Sequence, residues 1–152
     1  MKILMVCLGN ICRSPLAEGV MRHQVGKLGL DWEVDSAGTA GWHSGEAPDR
    51  RSIAVAKKHG IDIGGLRARA FRREDFDRFD WIFVMDKDNY SDVVRLARNE
   101  GERVKVVLMM DAVHPGSEEI VPDPYYDGRF ELVYELLDRG CGAVIQGLIG
   151  LK

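Results

Sequence analysis

The hydrophobic pattern of the chain alternates between short apolar runs and amphipathic segments of helical period. The apolar runs predict four buried strands, at residues 2–6, 32–36, 81–85 and 104–109. The segments of helical period predict helices at residues 15–28, 49–59, from 86 or 88 to 98, and 130–145, the last interrupted near Gly140. Segments rich in glycine, proline or charge predict irregular connections at residues 37–48, 61–71 and 111–127. Because buried strands alternate with helices, we expect an α/β fold with three layers, in which helices cover both faces of a four-stranded parallel sheet.

Composition narrows the class of protein without identifying it. The 152 residues are 45% hydrophobic and carry a net charge of −3, which fits a single domain over residues 1–152 and gives no reason to expect nucleic-acid binding. The apolar runs are too short for a transmembrane helix, and Gly9 and Arg13 break the first run too early for a signal peptide, so we expect no membrane insertion. Three cysteines, two of them in one loop, argue against a disulfide framework and for a reducing, cytoplasmic compartment.

The segment after the first strand carries the candidate chemistry. It runs Cys7-Leu8-Gly9-Asn10-Ile11-Cys12-Arg13-Ser14 and leads into the first helix. Backbone amides of residues 8–13 converge in such a turn, and the helix N-terminus adds partial positive charge, so the segment is suited to bind phosphate. The same field and the Arg13 guanidinium favour a nucleophilic thiolate on Cys7. We interpret the segment as a cysteine phosphatase site, although a cysteine at a strand end can also be a small buried apolar residue.

A phosphatase also needs a general acid, because a phenolate or alkoxide leaves poorly without a proton. The best candidate is Asp123, which lies between Pro122 and Pro124 in a segment that the two prolines stiffen. Asp123 could protonate the leaving oxygen and then accept a proton from the attacking water. Aspartate beside proline is also common in surface turns, so the pattern by itself leaves both interpretations open.

These motifs together resemble the low-molecular-weight protein tyrosine phosphatases. The resemblance lies in residues 7–15 and in Asp123-Pro124-Tyr125-Tyr126, with shorter matches at residues 35–39, 59–61, 67–69 and 84–86. It implies a flavodoxin-like fold and hydrolysis of phosphotyrosine and aryl phosphates through a phosphocysteine intermediate. It assigns Cys7 as the nucleophile, Arg13 as the phosphate-binding arginine and Asp123 as the general acid and base. No cofactor is implied, and no metal is expected because the cysteines and histidines lack ligand spacing.

The resemblance also implies a set of supporting residues. Asn10, Ser14, Ser36 and His59 match a hydrogen-bond network that holds the loop in its strained shape. From the residues alone, Asn10 could equally be a left-handed turn residue, and His59 a helix-end residue that interacts with the helix dipole. Cys12 matches a thiol that can form a protective disulfide with the nucleophile, and a packed small side chain is the alternative.

Substrate selection depends on the walls of the expected cleft. Tyr125 and Tyr126 match the family's aromatic wall residues, and Trp42 lies where an opposing aromatic residue is expected, with partial core packing as its alternative. A thiolate at the base of such a cleft is reached by a phenyl phosphate and not by the shorter phosphoserine. Ile11 stands where the related protein arginine phosphatases are expected to have threonine, which favours phosphotyrosine as the substrate.

Two other functions compete with this interpretation. An arsenate reductase of the same fold would need further cysteines to relay a disulfide, and the sequence has none between Cys12 and Cys141. A phosphotyrosine-binding module without turnover would gain nothing from having both Cys7 and Asp123. We therefore expect phosphotyrosine proteins or aryl phosphates as partners, and a monomer or weak dimer in which exposed tyrosines near the cleft support association.

Overall fold

The computed structural model describes residues 1–150 and is built around one parallel sheet. Its strands, in the spatial order β2-β1-β3-β4, are β1 (Lys2–Cys7), β2 (Glu33–Gly38), β3 (Trp81–Val84) and β4 (Val106–Leu108). Met5 of the central strand β1 is paired with Ser36 of β2 and with Phe83 of β3. The four predicted strands and their parallel arrangement are confirmed. Because all four are parallel, their C-terminal ends meet at one edge of the sheet.

Helices cover both faces of the sheet, as strands that are apolar on both faces require. They are α1 (Arg13–Lys27), α2 (Arg50–Lys58), α3 (Asp75–Arg78), α4 (Lys87–Arg95), α5 (Glu100–Arg103), α6 (Pro124–Asp127) and α7 (Phe130–Gly150). On one face, Met5 belongs to a buried cluster with Leu16 of α1 and Leu137 of α7. On the other face, Val6 belongs to a cluster with Phe76 of α3. The predicted three-layer arrangement is therefore confirmed.

The last helix differs from its prediction. α7 runs without interruption to Gly150, whereas a break near Gly140 and an end at residue 145 were expected. Gly140 is buried against Met109, and a Cβ added to it would lie 3.2 Å from Met109 Cε. The glycine therefore serves close packing and does not end the helix. No helix within residues 1–150, including the 21-residue α7, is both long enough and apolar enough to cross a membrane.

Several short elements lie in segments that were predicted to be strand or irregular, or were left unassigned. They are α3, α5, α6 and a 3-10 turn at Met109–Ala112. β4 is shorter than predicted because the exposed Val104 is the C-cap residue of α5. β2 extends to Gly38, into the segment predicted to be a loop. Elements of four residues span about one helical turn, which is too short for a periodic pattern to register.

Candidate active site

The candidate nucleophile loop links the end of β1 to the start of α1. Cys7 is the last residue of β1 and is 3% exposed, and α1 begins at Arg13. The Ser14 hydroxyl oxygen lies 3.0 Å from Cys7 Sγ, and the Ser14 backbone N–H donates to the same sulfur at 3.4 Å. Asn10 Nδ2 donates to Ser14 Oγ at 2.8 Å, so the hydroxyl proton points away from Asn10, either to Cys7 Sγ or to the Ala37 carbonyl oxygen at 3.4 Å. Two donors from the first turn of α1 can thus stabilise negative charge on Cys7.

Asn10 holds the loop in its turned conformation. Its backbone is left-handed, with a φ of 57°, which asparagine tolerates better than most residues. Its Nδ2 donates to Ser36 Oγ at 3.0 Å as well as to Ser14, and its Oδ1 accepts the Arg69 backbone N–H at 3.0 Å. Ser36 Oγ in turn donates to Glu18 Oε1 at 2.7 Å. The loop is therefore tied to β2, to α1 and to the segment that precedes α3.

His59 lies outside this network, so the role expected for it in supporting the loop is wrong. It is the C-cap residue of α2, its Nε2 lies 2.7 Å from Glu131 Oε1, and its ring stacks on Tyr134 at 3.7 Å. These contacts hold His59 against α7 and away from the loop. Glu18 instead belongs to the network and extends it to Arg22, whose Nη2 lies 2.7 Å from Glu18 Oε2; sequence analysis missed this role. The available signal was its position four residues after Ser14, on the same face of α1.

Arg13 is buried and is held by one of its terminal nitrogens. Nη1 donates to Asp86 Oδ2 at 2.7 Å and to the Val121 carbonyl at 2.9 Å. Burial opposes the charge, but the neighbouring Cys7 and Asp86 side chains raise the pKa of Arg13 above its ordinary value, so Arg13 remains a cation. Asp86 was predicted only as a helix start. It follows β3 at the same sheet edge as Cys7, and there it orients the arginine.

A cavity of about 160 Å³ lies over the loop and brings most of the predicted site residues together. It is lined by Cys7, Leu8, Gly9, Ile11, Cys12, Arg13, Trp42, His43, Asp123, Tyr125 and Tyr126. Asp123 is the N-cap of α6: its Oδ1 accepts the Tyr125 N–H at 3.0 Å, and its Oδ2 lies 3.7 Å from Arg13 Nη2. Trp42 and Tyr126 are exposed at the rim. His43, whose Nδ1 lies 2.9 Å from Glu46 Oε2, is a lining residue that no sequence pattern indicated.

The sequence and the fold of this chain are similar to those of proteins of known family. Residues 2–149 match the family model described as low molecular weight phosphotyrosine protein phosphatase. The chain belongs to this family. A putative low molecular weight protein-tyrosine-phosphatase of Synechocystis is 44% identical over 152 residues, which cover 97% of this chain and 96% of that protein. The crystal structure of YfkJ from Bacillus subtilis matches with a TM-score of 0.93 and 36% identity, covering 100% of this chain and 96% of that one. The crystal structure of DARP, a Drosophila arginine phosphatase, matches with a TM-score of 0.90 and 34% identity over 97% and 98% of the two chains.

The chain is thus a phosphatase with a flavodoxin-like α/β fold, as expected, and its three thiols have different surroundings. Cys7, Cys12 and Cys141 are all free. Burial, together with the nearby Asp49 carboxylate, raises the pKa of Cys12 to about 12, and burial raises the pKa of Cys141 further. Both thiols are therefore protonated at neutral pH. Among residues 1–150 of this phosphatase, histidine, cysteine and acidic side chains form no cluster of three that could hold a metal ion.

Proposed function

We propose that this phosphatase hydrolyses phosphotyrosine and aryl phosphates through a phosphocysteine intermediate on Cys7. In the first step, Cys7 Sγ attacks phosphorus, the bond to the phenolic oxygen breaks, and Asp123 gives its proton to that oxygen. In the second step, the Asp123 carboxylate takes a proton from water, the water oxygen attacks phosphorus, and the sulfur–phosphorus bond breaks. The observation that carries this proposal is that Cys7, Arg13 and Asp123 line one cavity, in which Arg13 Nη2 lies 3.7 Å from Asp123 Oδ2.

Arg13 and the loop amides would bind the transferred phosphoryl group. Asp86 and the Val121 carbonyl both bind Nη1, which leaves Nη2 on the cavity side, 3.7 Å from Asp123 Oδ2. The amides from Leu8 to Arg13 belong to the turn that surrounds the sulfur. Charge spread over the equatorial phosphate oxygens would be stabilised by donors that need no rearrangement during the reaction.

The shape of the cavity supports a flat aromatic substrate. The sulfur lies at the buried base, while Trp42 and Tyr126 are 73% and 89% exposed at the rim, so a phosphate must be carried on a long side chain to reach it. Trp42, Tyr125 and Tyr126 can contact the phenyl ring. Ile11 adds an apolar wall where threonine is expected in an arginine phosphatase, and it supports phosphotyrosine over phosphoarginine.

The proposal is tested with phenyl phosphate, a phosphotyrosine peptide and a phosphoarginine peptide. We expect turnover of the first two substrates, little turnover of the third, and none by Cys7→Ser. Asp123→Ala should lower kcat/KM for phenyl phosphate by about 100-fold and for 2,4-dinitrophenyl phosphate far less, because the activated leaving group needs little protonation. Equal losses on both substrates would contradict the acid role, and residual turnover by Cys7→Ser would contradict the phosphocysteine.

We also propose that residues 1–152 act as one phosphatase domain, without cofactor or metal, as a monomer or weak dimer. Residues 151–152 lie outside the described residues. One sheet edge supplies the nucleophile loop and Asp86, which supports a single catalytic unit. The free thiols support action in a reducing compartment such as the cytoplasm.

A further inference from the structure

The first turn of α2 is fixed against the nucleophile loop. The Asp49 backbone N–H donates to the Ile11 carbonyl at 2.8 Å, and Ser52 Oγ donates to the Cys12 carbonyl at 2.9 Å. Asp49 is also the N-cap of α2, where its Oδ1 accepts the Arg51 backbone N–H at 2.8 Å. The bonds to Ile11 and Cys12 fix the backbone of the turn relative to the loop that carries Cys7.

Arg51 extends from that turn to the segment that carries Asp123. Its Nε and Nη2 bind the two carboxylate oxygens of Asp49, each at 3.1 Å, and Nη2 also donates to the Tyr125 carbonyl at 3.1 Å. The guanidinium carbon lies 5.5 Å from the centre of the Tyr125 ring and 4.7 Å from that of Phe130, within the range of cation–π attraction. One planar cation thus joins α2, the Asp123 segment and the start of α7.

The Asp123 segment depends on this contact on its C-terminal side. Before Asp123, Val121 is held through its N–H to the Met85 carbonyl at 2.8 Å and through its own carbonyl to Arg13 at 2.9 Å. After Asp123, the bond from Arg51 to the Tyr125 carbonyl is the first hydrogen bond to another element among the residues that the structure describes. The N–H of the same Tyr125 binds Asp123 Oδ1, so a shift of Tyr125 moves the carboxylate.

We infer that Arg51 is a positioning residue for the general acid, which it places over the sulfur through Tyr125. The inference rests on the proposed role of Asp123. Loss of Arg51 frees the Tyr125 peptide and misplaces the carboxylate, so it slows the reaction where the leaving group needs a proton and spares the reaction where it does not. A role limited to folding or to substrate binding would affect both kinds of substrate alike.

The test compares Arg51→Met with Arg50→Met. Methionine keeps an apolar stem under the aromatic rings but donates no hydrogen bond. Arg50 is the adjacent arginine, is exposed, and makes no hydrogen bond or ion pair to residues 1–150, so its replacement matches the change in charge. We expect Arg51→Met to lower kcat/KM about tenfold on phenyl phosphate and less than about twofold on 2,4-dinitrophenyl phosphate. Arg50→Met should stay within about twofold of the parent on both.

Two further variants extend the test, and two outcomes would overturn the inference. In an Asp123→Ala background, Arg51→Met should add no further dependence on the leaving group, since the group that it positions is gone. Arg51→Lys should fall between the parent and Arg51→Met, because an ammonium cannot bind both Asp49 oxygens and Tyr125 with one planar fork. A uniform loss with Arg51→Met, beside a leaving-group effect in Asp123→Ala, overturns the role of Arg51 alone. A uniform loss in Asp123→Ala overturns the acid assignment and the role of Arg51 with it.

Discussion

Replacement of Asn10 by alanine tests how the nucleophile loop is held, because this one side chain makes three hydrogen bonds from a left-handed backbone. A net contribution of about 1 kcal/mol per bond gives about 3 kcal/mol for the three. The left-handed conformation costs alanine about 1 kcal/mol more. We therefore expect Asn10→Ala to lower the free energy of unfolding by about 4 kcal/mol. Activity should fall as well, since Ser14, whose Oγ lies 3.0 Å from Cys7 Sγ, loses the bond that it accepts from Asn10.

Asn10→Gly separates the bonds from the backbone strain. Glycine adopts a positive φ without steric cost, so this variant loses the same hydrogen bonds but regains up to about 1 kcal/mol of the strain. Urea-induced unfolding gives the free energy of unfolding of each variant, and we expect the slope of that free energy against urea concentration to match the parent's. The value of kcat/KM on phenyl phosphate gives the activity. We expect both variants to lose about tenfold or more in activity, as the loss of a hydrogen bond to a charged group implies. A loss of less than about 1 kcal/mol in both variants, with parental activity, would refute the reasoning.

Two further variants test charged partners of the site. Asp86→Asn keeps the N-cap of α4 but removes the charge at 2.7 Å from Arg13, and should lower kcat/KM about tenfold on phenyl phosphate and 2,4-dinitrophenyl phosphate alike. A loss confined to one substrate would contradict this role. Burial raises the pKa of Glu18 above its ordinary 4.5, although Ser36 donates to it, so the folded protein holds this proton more tightly than the unfolded chain. Glu18 therefore contributes stability at low pH that is lost as pH rises through its folded pKa. Glu18→Gln should flatten the fall in the free energy of unfolding as pH rises above the ordinary pKa of 4.5, and an unchanged slope would contradict the assignment.

Local patterns predicted the elements that carry the nucleophile. The apolar run before Cys7, the turn with Gly9 and Asn10, and the helical period after Arg13 lie within some 25 residues, and each follows from backbone preference and burial alone. The Asn10–Ser14 hydrogen bond is also short-range, because the two residues are only four positions apart. Short-range interactions determine the strand, the turn and the helix around Cys7, so these elements can be predicted from the sequence.

Partners distant in the sequence were harder to assign. Arg13 depends on Asp86, 73 residues away, and on Val121, 108 residues away, and no periodic pattern links them. His59 was assigned to the loop from resemblance, yet Glu131 and Tyr134 hold it on α7. In each case the choice of partner depends on how helices pack on the sheet. From the sequence alone, other residues of the same type would be equally plausible partners.

The parallel sheet explains why these distant residues nevertheless meet. Cys7 ends β1 and Asp86 follows β3, and because these neighbouring strands are parallel, both residues lie at the same edge of the sheet. Strand direction therefore explains why the sulfur lies near the carboxylate that orients Arg13. β2 ends there in Gly38, where an added Cβ would lie 2.8 Å from the Leu8 carbonyl oxygen, so only glycine lets this strand pass so close to the loop. Asp123 has no strand of its own to place it. The residues on either side of it accept hydrogen bonds from two arginines, Val121 from Arg13 and Tyr125 from Arg51, so we expect the position of the proposed acid to respond to substitution of Arg51.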